Sequence, residues 1–158
     1  MIPKEIIIHN TASDREKTTI VDIDAWHKVR WPSFKSSLGH WIGYHFVILG
    51  NGQVVQTRRE NELGAHTIPN EGKVGIALTG NFDSEKPNPA QLTSLEGLLN
   101  RLKKDYNLKD GDIYGHREKS QTSCPGKNLF IWLLLWRQVW TIQKLILAIR
   151  ELIKGRGK

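Results

Sequence analysis

Apolar residues along the chain fall into short runs bounded by polar turns, with longer periodic stretches between them. Short apolar runs with turn residues at their ends are typical of strands. The dipeptide Asn51-Gly52 predicts a tight turn that joins two of these runs in a β-hairpin. The predicted strands cover residues 5–9, 44–49, 53–56, 74–78 and 113–114.

Apolar residues at helical spacing predict two helices between the strands. The first covers about Ile20–Arg30, with Thr18 or Thr19 as its cap, and the second covers Pro89–Asn107, where five leucines share one face. Strands interleaved with helices predict an α/β fold, and 158 residues suit one domain. We therefore expect a single domain with a central mixed β-sheet flanked by helices.

The C-terminal segment, residues 129–158, predicts a long basic amphipathic helix that follows a domain of residues 1–128. Residues 129–154 contain no Gly or Pro, and a helix of these 26 residues would be about 39 Å long. Arg137 and Lys144 interrupt the apolar run, so no membrane-spanning helix is expected. Tryptophans and basic residues lie near the border of the apolar face, and we expect them to contact a membrane or a partner. They are Trp132, Trp136, Trp140, Arg137, Lys144 and Arg150.

We expect the first part of this helix, to about Trp140, to pack on the sheet. The remainder has three open interpretations: it binds an anionic membrane surface, associates with a second copy, or packs within the chain. The charge of the segment favours binding to an anionic membrane surface, since residues 127–158 carry seven basic residues and one acid, a net of +6. Residues 1–126 have a net charge of only +1, which argues against nucleic acid as a partner.

The N-terminus, MIPKEIIIHN, lacks the basic stretch, apolar run and cleavage site of a secretory signal. We therefore expect synthesis in the cytoplasm without a signal peptide.

Candidate chemistry centres on the only cysteine, Cys124, which excludes an intramolecular disulfide. Its neighbours, QTS before it and PG after it, are typical of a polar loop rather than a core. His9 and His116 each follow a predicted strand. Two imidazoles and a thiolate are ligands that zinc prefers, and three protein ligands leave a position for water. Spacing alone leaves a zinc site and a small buried cysteine both open.

Four strings occur in order along the chain: IIIHNTAS, GYHFVILGNGQV, GAHTIPN with VGIALTGNF, and GHRE with TSCPGKN. Together they resemble the zinc-dependent N-acetylmuramoyl-L-alanine amidases, or type 2 amidases, over about residues 4–130. That family shares its fold with the peptidoglycan recognition proteins and the amidase-type phage lysozymes. The resemblance implies one Zn²⁺ per chain, held by His9, His116 and Cys124.

The resemblance also implies the reaction and further site residues. A zinc-activated water would cleave the amide between the lactyl group of N-acetylmuramic acid and L-alanine of the stem peptide. Tyr44 would lie beside the metal and donate to the developing oxyanion, and Thr122 occupies a position where family members carry lysine or threonine. Asn10 departs from the pattern, because many members have a second histidine there. Glu118 is either a partner of His116 or, more simply, a solvated acid.

The remaining histidines divide into two groups. His66 and His40, with Trp41, are expected to line the substrate groove, whereas His27 and His45 are expected to pack within the fold.

The lack of a signal sequence and the single small domain suggest a phage or prophage endolysin, which we expect to act on the bacterial cell wall, in the host periplasm or from the exterior. One alternative is a peptidoglycan-recognition protein without activity; such proteins often lack the cysteine, so Cys124 favours an enzyme. Another is a membrane-active lytic protein that acts mainly through its C-terminal helix.

Overall fold

The computed structural model describes residues 1–138 and 145–146. Five strands form one sheet in the order β3-β2-β4-β1-β5, in which only β2 and β3 pair antiparallel. The mixed sheet expected from the sequence is therefore confirmed. The strands are β1 (Glu5–Asn10), β2 (Phe46–Ile48), β3 (Val54–Gln56), β4 (Lys73–Leu78) and β5 (Ile113–Gly115).

Two α-helices flank the sheet, and local capping sets their limits. Helix α1 (Ile20–Arg30) starts after Thr19, whose hydroxyl accepts from the Asp22 backbone N–H. Helix α2 (Pro89–Tyr106) has a reciprocal cap between Asn88 and Gln91 and ends where Asn107 turns left-handed, at φ 54°. Short 3₁₀ turns cover Asp110–Asp112 and His116–Glu118, and residues 127–138 are helical.

The two faces of the sheet are covered differently. On one face, Ile6 and Ile8 of β1 pack with the apolar side of α2 and with the helical residues 127–138. On the other face, Ile23 of α1 packs with Ile42 and Val47 in a much smaller apolar cluster. Because side chains alternate along a strand, Ile7 and His9 lie on this second face.

The strand expected at residues 44–49 is shorter in the structure, where β2 covers only Phe46–Ile48. Tyr44 and His45 lie just before it. The His45 backbone N–H still donates to the Gly75 carbonyl at 2.8 Å, so this segment stays beside β4.

The beginning of the C-terminal segment belongs to the domain. Leu129, Leu133 and Trp136 are part of the larger core, and Trp136 is only 7% exposed. Trp132 is half-buried and stacks on Trp136, with ring centroids 6.1 Å apart. This packing agrees with the expectation that the first part of the segment packs on the sheet, and the boundary after residue 128 stays a prediction.

This packing contradicts the assignment of Trp136 to a membrane-binding or partner-binding surface, whereas that role stays a prediction for Arg137. Trp136 faces the core, and Arg137 forms a two-pronged ion pair with Glu118 at 3.2 and 2.9 Å. Both side chains therefore make contacts within the domain. Trp140, Lys144 and Arg150 lie outside the described residues. Within residues 1–138 and 145–146, no helix is long and apolar enough to cross a membrane.

Candidate metal centre and active site

Two histidines meet where neighbouring parallel strands end. In the register of β1 and β5, Ile8 lies opposite Gly115, so His9 and His116 follow at equivalent positions. Their ring centroids are 4.5 Å apart. The carboxyl ends of parallel strands are a common place for a ligand site, because every strand delivers its last side chains to one edge.

Cys124 joins the pair from a tight turn. The Arg117 N–H donates to the Cys124 carbonyl at 2.7 Å, and the Cys124 N–H donates to the Thr122 hydroxyl at 3.2 Å. Gly126 closes the turn at φ 87°, where a Cβ would lie 2.6 Å from the Phe82 backbone. The turn therefore requires glycine there, and it presents the sulfur to His9 with Sγ 3.6 Å from Nδ1.

The donor set fits a zinc ion. One potential ligand atom from each of His9, His116 and Cys124 lies within 4.8 Å of the other two. The Asn10 N–H donates to the sulfur at 3.4 Å, which favours a thiolate. Two imidazoles and one sulfur leave a tetrahedral ion one open position, the arrangement of catalytic zinc sites.

Burial favours the neutral form of these three side chains. It lowers the pKa of His9 well below its usual range, with further lowering by the nearby His66 and His116. Burial also lowers the pKa of His116 and raises the pKa of the Cys124 thiol to about 11. The imidazoles are thus ready to act as ligands, whereas the thiol must lose its proton to do so.

Tyr44 lies beside the cluster, as expected. Its ring centroid is 5.1 Å from that of His9 and 5.3 Å from that of His27. Burial, together with the nearby Cys124, raises the pKa of Tyr44 above its ordinary value. The hydroxyl therefore stays protonated and can act as a hydrogen-bond donor near neutral pH.

His66 lies behind His9 rather than on an open groove. Only 9% of the residue is exposed, and its Nδ1 is 3.1 Å from Nε2 of His9. Burial lowers the pKa of His66 to about 3. The contact with the candidate ligand His9 joins residues 57 positions apart, and no local sequence pattern signals it. Substrate binding by His66 stays a prediction.

The other expected groove residues lie in the loop after α1. His40 Nδ1 is 3.5 Å from Asp24, and the Trp41 indole N–H donates to the Pro32 carbonyl. The ammonium groups of Lys28 and Lys35 lie 4.4 and 4.3 Å from the centroid of the Trp41 ring. Substrate binding by His40 and Trp41 stays a prediction.

Three further polar residues lie near the site. The Thr122 hydroxyl accepts from the Cys124 N–H, so it shapes the ligand turn; a catalytic role for it stays a prediction. Glu118 accepts from the Gly115 N–H at 2.7 Å besides pairing with Arg137, so it is not simply a solvated acid. His45 is fully buried, and its ring bonds the Gly75 N–H and the Glu62 carbonyl, in agreement with a packing role.

Known proteins are similar to this chain in sequence and in fold. Peptidoglycan-recognition protein SC2 of Drosophila simulans is 35% identical over 140 residues, covering 82% of this chain and 72% of that protein. Peptidoglycan-recognition protein SD of Drosophila simulans is 39% identical over 97 residues, covering 60% of this chain and 52% of that protein. The chain thus spans about half the length of the second relative.

A solved structure gives a similar picture. N-acetylmuramoyl-L-alanine amidase LysC from Clostridium intestinale URNW matches with a TM-score of 0.69 and 38% identity, covering 80% of this chain and 78% of that one. Residues 1–127 match the family model described as N-acetylmuramoyl-L-alanine amidase. This confirms the resemblance found in the sequence: the chain belongs to the N-acetylmuramoyl-L-alanine amidase family.

Proposed function

We propose that the protein is a zinc-dependent amidase that hydrolyses the bond between the lactyl group of N-acetylmuramic acid and L-alanine in peptidoglycan. The convergence of His9, His116 and Cys124 within 4.8 Å carries this proposal. Family membership and the similarity to the amidase LysC support the same reaction.

The metal would be held by the two imidazoles and the Cys124 thiolate. Zinc supplies Lewis acidity, which polarises an amide carbonyl and makes water acidic enough to attack near neutral pH. The protein supplies the fixed geometry: β1 and β5 place the histidines, and the turn closed by Gly126 places the sulfur.

Hydrolysis adds water across the amide, leaving a carboxylate on the lactyl group and a free amino group on L-alanine. Tyr44 would donate its hydroxyl hydrogen to the carbonyl oxygen as that oxygen gains negative charge. Its raised pKa keeps the donor protonated. Thr122 is neutral, so its direct contribution would be at most a hydrogen bond or the orientation of water.

The proposed place of action is the bacterial cell wall, as for an endolysin. The similarity to an amidase described as an endolysin, LysCS from Clostridium intestinale URNW, supports this. The net charge of +6 in residues 127–158 favours contact between the C-terminal segment and an anionic envelope. Self-association through this segment is the alternative.

A digest of purified peptidoglycan, analysed by mass spectrometry, tests the reaction. We expect the wild-type protein to release stem peptides that begin with L-alanine. A chelator should abolish this release, and so should Cys124→Ala. Gly97→Ala is a matched control, because nothing lies within 4 Å of a Cβ built at this helical position, and it should digest like the wild type.

A second candidate is a peptidoglycan-binding protein without hydrolytic activity. The names of the Drosophila relatives, which are peptidoglycan-recognition proteins, favour this alternative. Wall that stays intact but sediments with the wild-type protein would support it and contradict the amidase proposal.

A further inference from the structure

The two ring nitrogens of His9 face different partners. Nδ1 lies 3.6 Å from the sulfur of Cys124, and Nε2 lies 3.1 Å from Nδ1 of His66. Because a neutral imidazole carries one hydrogen, it can present a free lone pair on only one side. The partner of Nε2 therefore affects whether Nδ1 is available to a metal ion.

The fold makes room for the His66 ring with two glycines. A Cβ at Gly64 would lie 2.5 Å from the ring, and a Cβ at Gly75 would lie 2.6 Å from it. Side chains at these positions would displace the ring. The Asn70 side-chain oxygen accepts from the backbone N–H groups of His66 and Thr67, both at 3.0 Å, which holds the segment in place.

The second ring nitrogen of His66, Nε2, is buried as well. The backbone of Lys73 is its nearby hydrogen-bonding group. Because a backbone carbonyl only accepts, this contact favours hydrogen on Nε2 and leaves Nδ1 of His66 as an acceptor.

On the basis of the proposed zinc site, we infer that His66 is a positioning residue that sets the tautomer of His9. Its Nδ1 accepts the hydrogen of His9 Nε2 and thereby leaves the His9 Nδ1 lone pair directed toward Cys124 and the metal. Partners of this kind fix ring orientation and make the ligand more basic. His66 does not itself contact the reacting atoms.

The test compares His66→Leu with His66→Asn. Asparagine keeps an acceptor atom close to the position of Nδ1, whereas leucine removes it at moderate volume. Zinc affinity is measured by competition between the full-length protein and a chelator, and the stability of the metal-free protein is measured by urea unfolding. Gly97→Ala is the control for a substitution outside the proposed zinc site.

We expect His66→Leu to weaken zinc binding about 10- to 100-fold, and His66→Asn to restore most of the affinity. The metal-free His66→Leu protein should be less stable than the wild type, because the buried Nε2–H of His9 loses its acceptor. A merely structural histidine would show this loss of stability with no change in the zinc affinity of the folded protein.

Unchanged zinc affinity in His66→Leu would overturn this inference alone, as would an equal loss in His66→Leu and His66→Asn. Failure of the wild-type protein to bind zinc would overturn the proposed function and this inference together. The wild-type measurement thus separates the two failures.

Discussion

The two faces of strand β1 show how one strand serves both stability and chemistry. Ile6 and Ile8 enter a large apolar core closed by α2 and residues 127–138. His9, on the other face, lies in a group of histidine rings that includes His66 and His116. Burial of the apolar face stabilises the fold, whereas burial of polar groups on the histidine face reduces that stability.

Mutations on the two faces should therefore be separable in their effects. Changes on the histidine face should mainly alter metal binding and catalysis, and changes on the apolar face should mainly alter stability.

Removal of the proposed ligand His116 should have the largest effect. His116→Ala takes away one of the three proposed metal ligands at a half-buried position. We expect the rate of peptidoglycan hydrolysis to fall roughly 10³-fold or more, because several kcal/mol of transition-state stabilisation are lost. Initial rates of stem-peptide release measure this. A variant that kept more than a tenth of the wild-type rate would show that His116 is not a ligand.

Truncation in the apolar core should act mainly on stability. Leu99 of α2 is fully buried in the larger core. Leu99→Ala should lower the free energy of unfolding by about 2–5 kcal/mol in urea denaturation. The zinc affinity of the folded fraction should not change. If affinity fell with stability, the two faces would be coupled more tightly than their separate packing indicates.

Loss of the Tyr44 hydroxyl should affect catalysis but not metal binding. In Tyr44→Phe the ring beside His9 is kept and the proposed donor to the oxyanion is removed. We expect kcat to fall about 10²- to 10³-fold, as for other donors of this kind. Zinc content, measured by atomic absorption, should equal that of the wild type. A wild-type kcat would exclude the proposed role.

Acid should destabilise the fold through buried neutral histidines. Burial lowers the pKa of His45 to about 4, against an ordinary value of 6.5. Between these values the unfolded chain binds a proton that the folded chain does not bind. Stability is therefore fully present above pH 6.5 and is lost as pH falls toward 4, by about 3 kcal/mol for this residue.

His45→Gln tests this contribution, because its amide can still donate to the Glu62 carbonyl. Urea unfolding at several pH values should show a shallower loss of stability in the variant than in the wild type. Equal slopes in the two proteins would mean that His45 is not the group responsible.

Sequence reasoning predicted the features that are encoded locally. The limits of α1 were predicted correctly because Thr19 and Asp22, which cap it, are close in sequence. The Cys124 turn was also recognisable, since Pro125 and Gly126 follow directly. The apolar runs predicted the strands, although β2 is shorter than expected because Tyr44 and His45 lie outside its regular pairing.

Contacts between residues that are distant in sequence were predicted from the family resemblance or were missed. His9 and Cys124 are 115 positions apart, and only the parallel pairing of β1 with β5 and the later turn bring them together. The hydrogen bond between His9 and His66 was missed, because the room for that ring comes from absent side chains at Gly64 and Gly75. Trp136 was wrongly assigned to a membrane-binding or partner-binding surface. An amphipathic pattern does not reveal what covers the apolar face of a helix.

The central claim is that two histidines and one cysteine hold zinc in this protein. X-ray absorption spectroscopy at the zinc edge of the metal-loaded protein tests it most directly. The account predicts one sulfur neighbour at about 2.3 Å and nitrogen or oxygen neighbours at about 2.0 Å. It also predicts that Cys124→Ala removes the sulfur signal. A spectrum of the wild-type protein with nitrogen and oxygen neighbours alone would contradict the account.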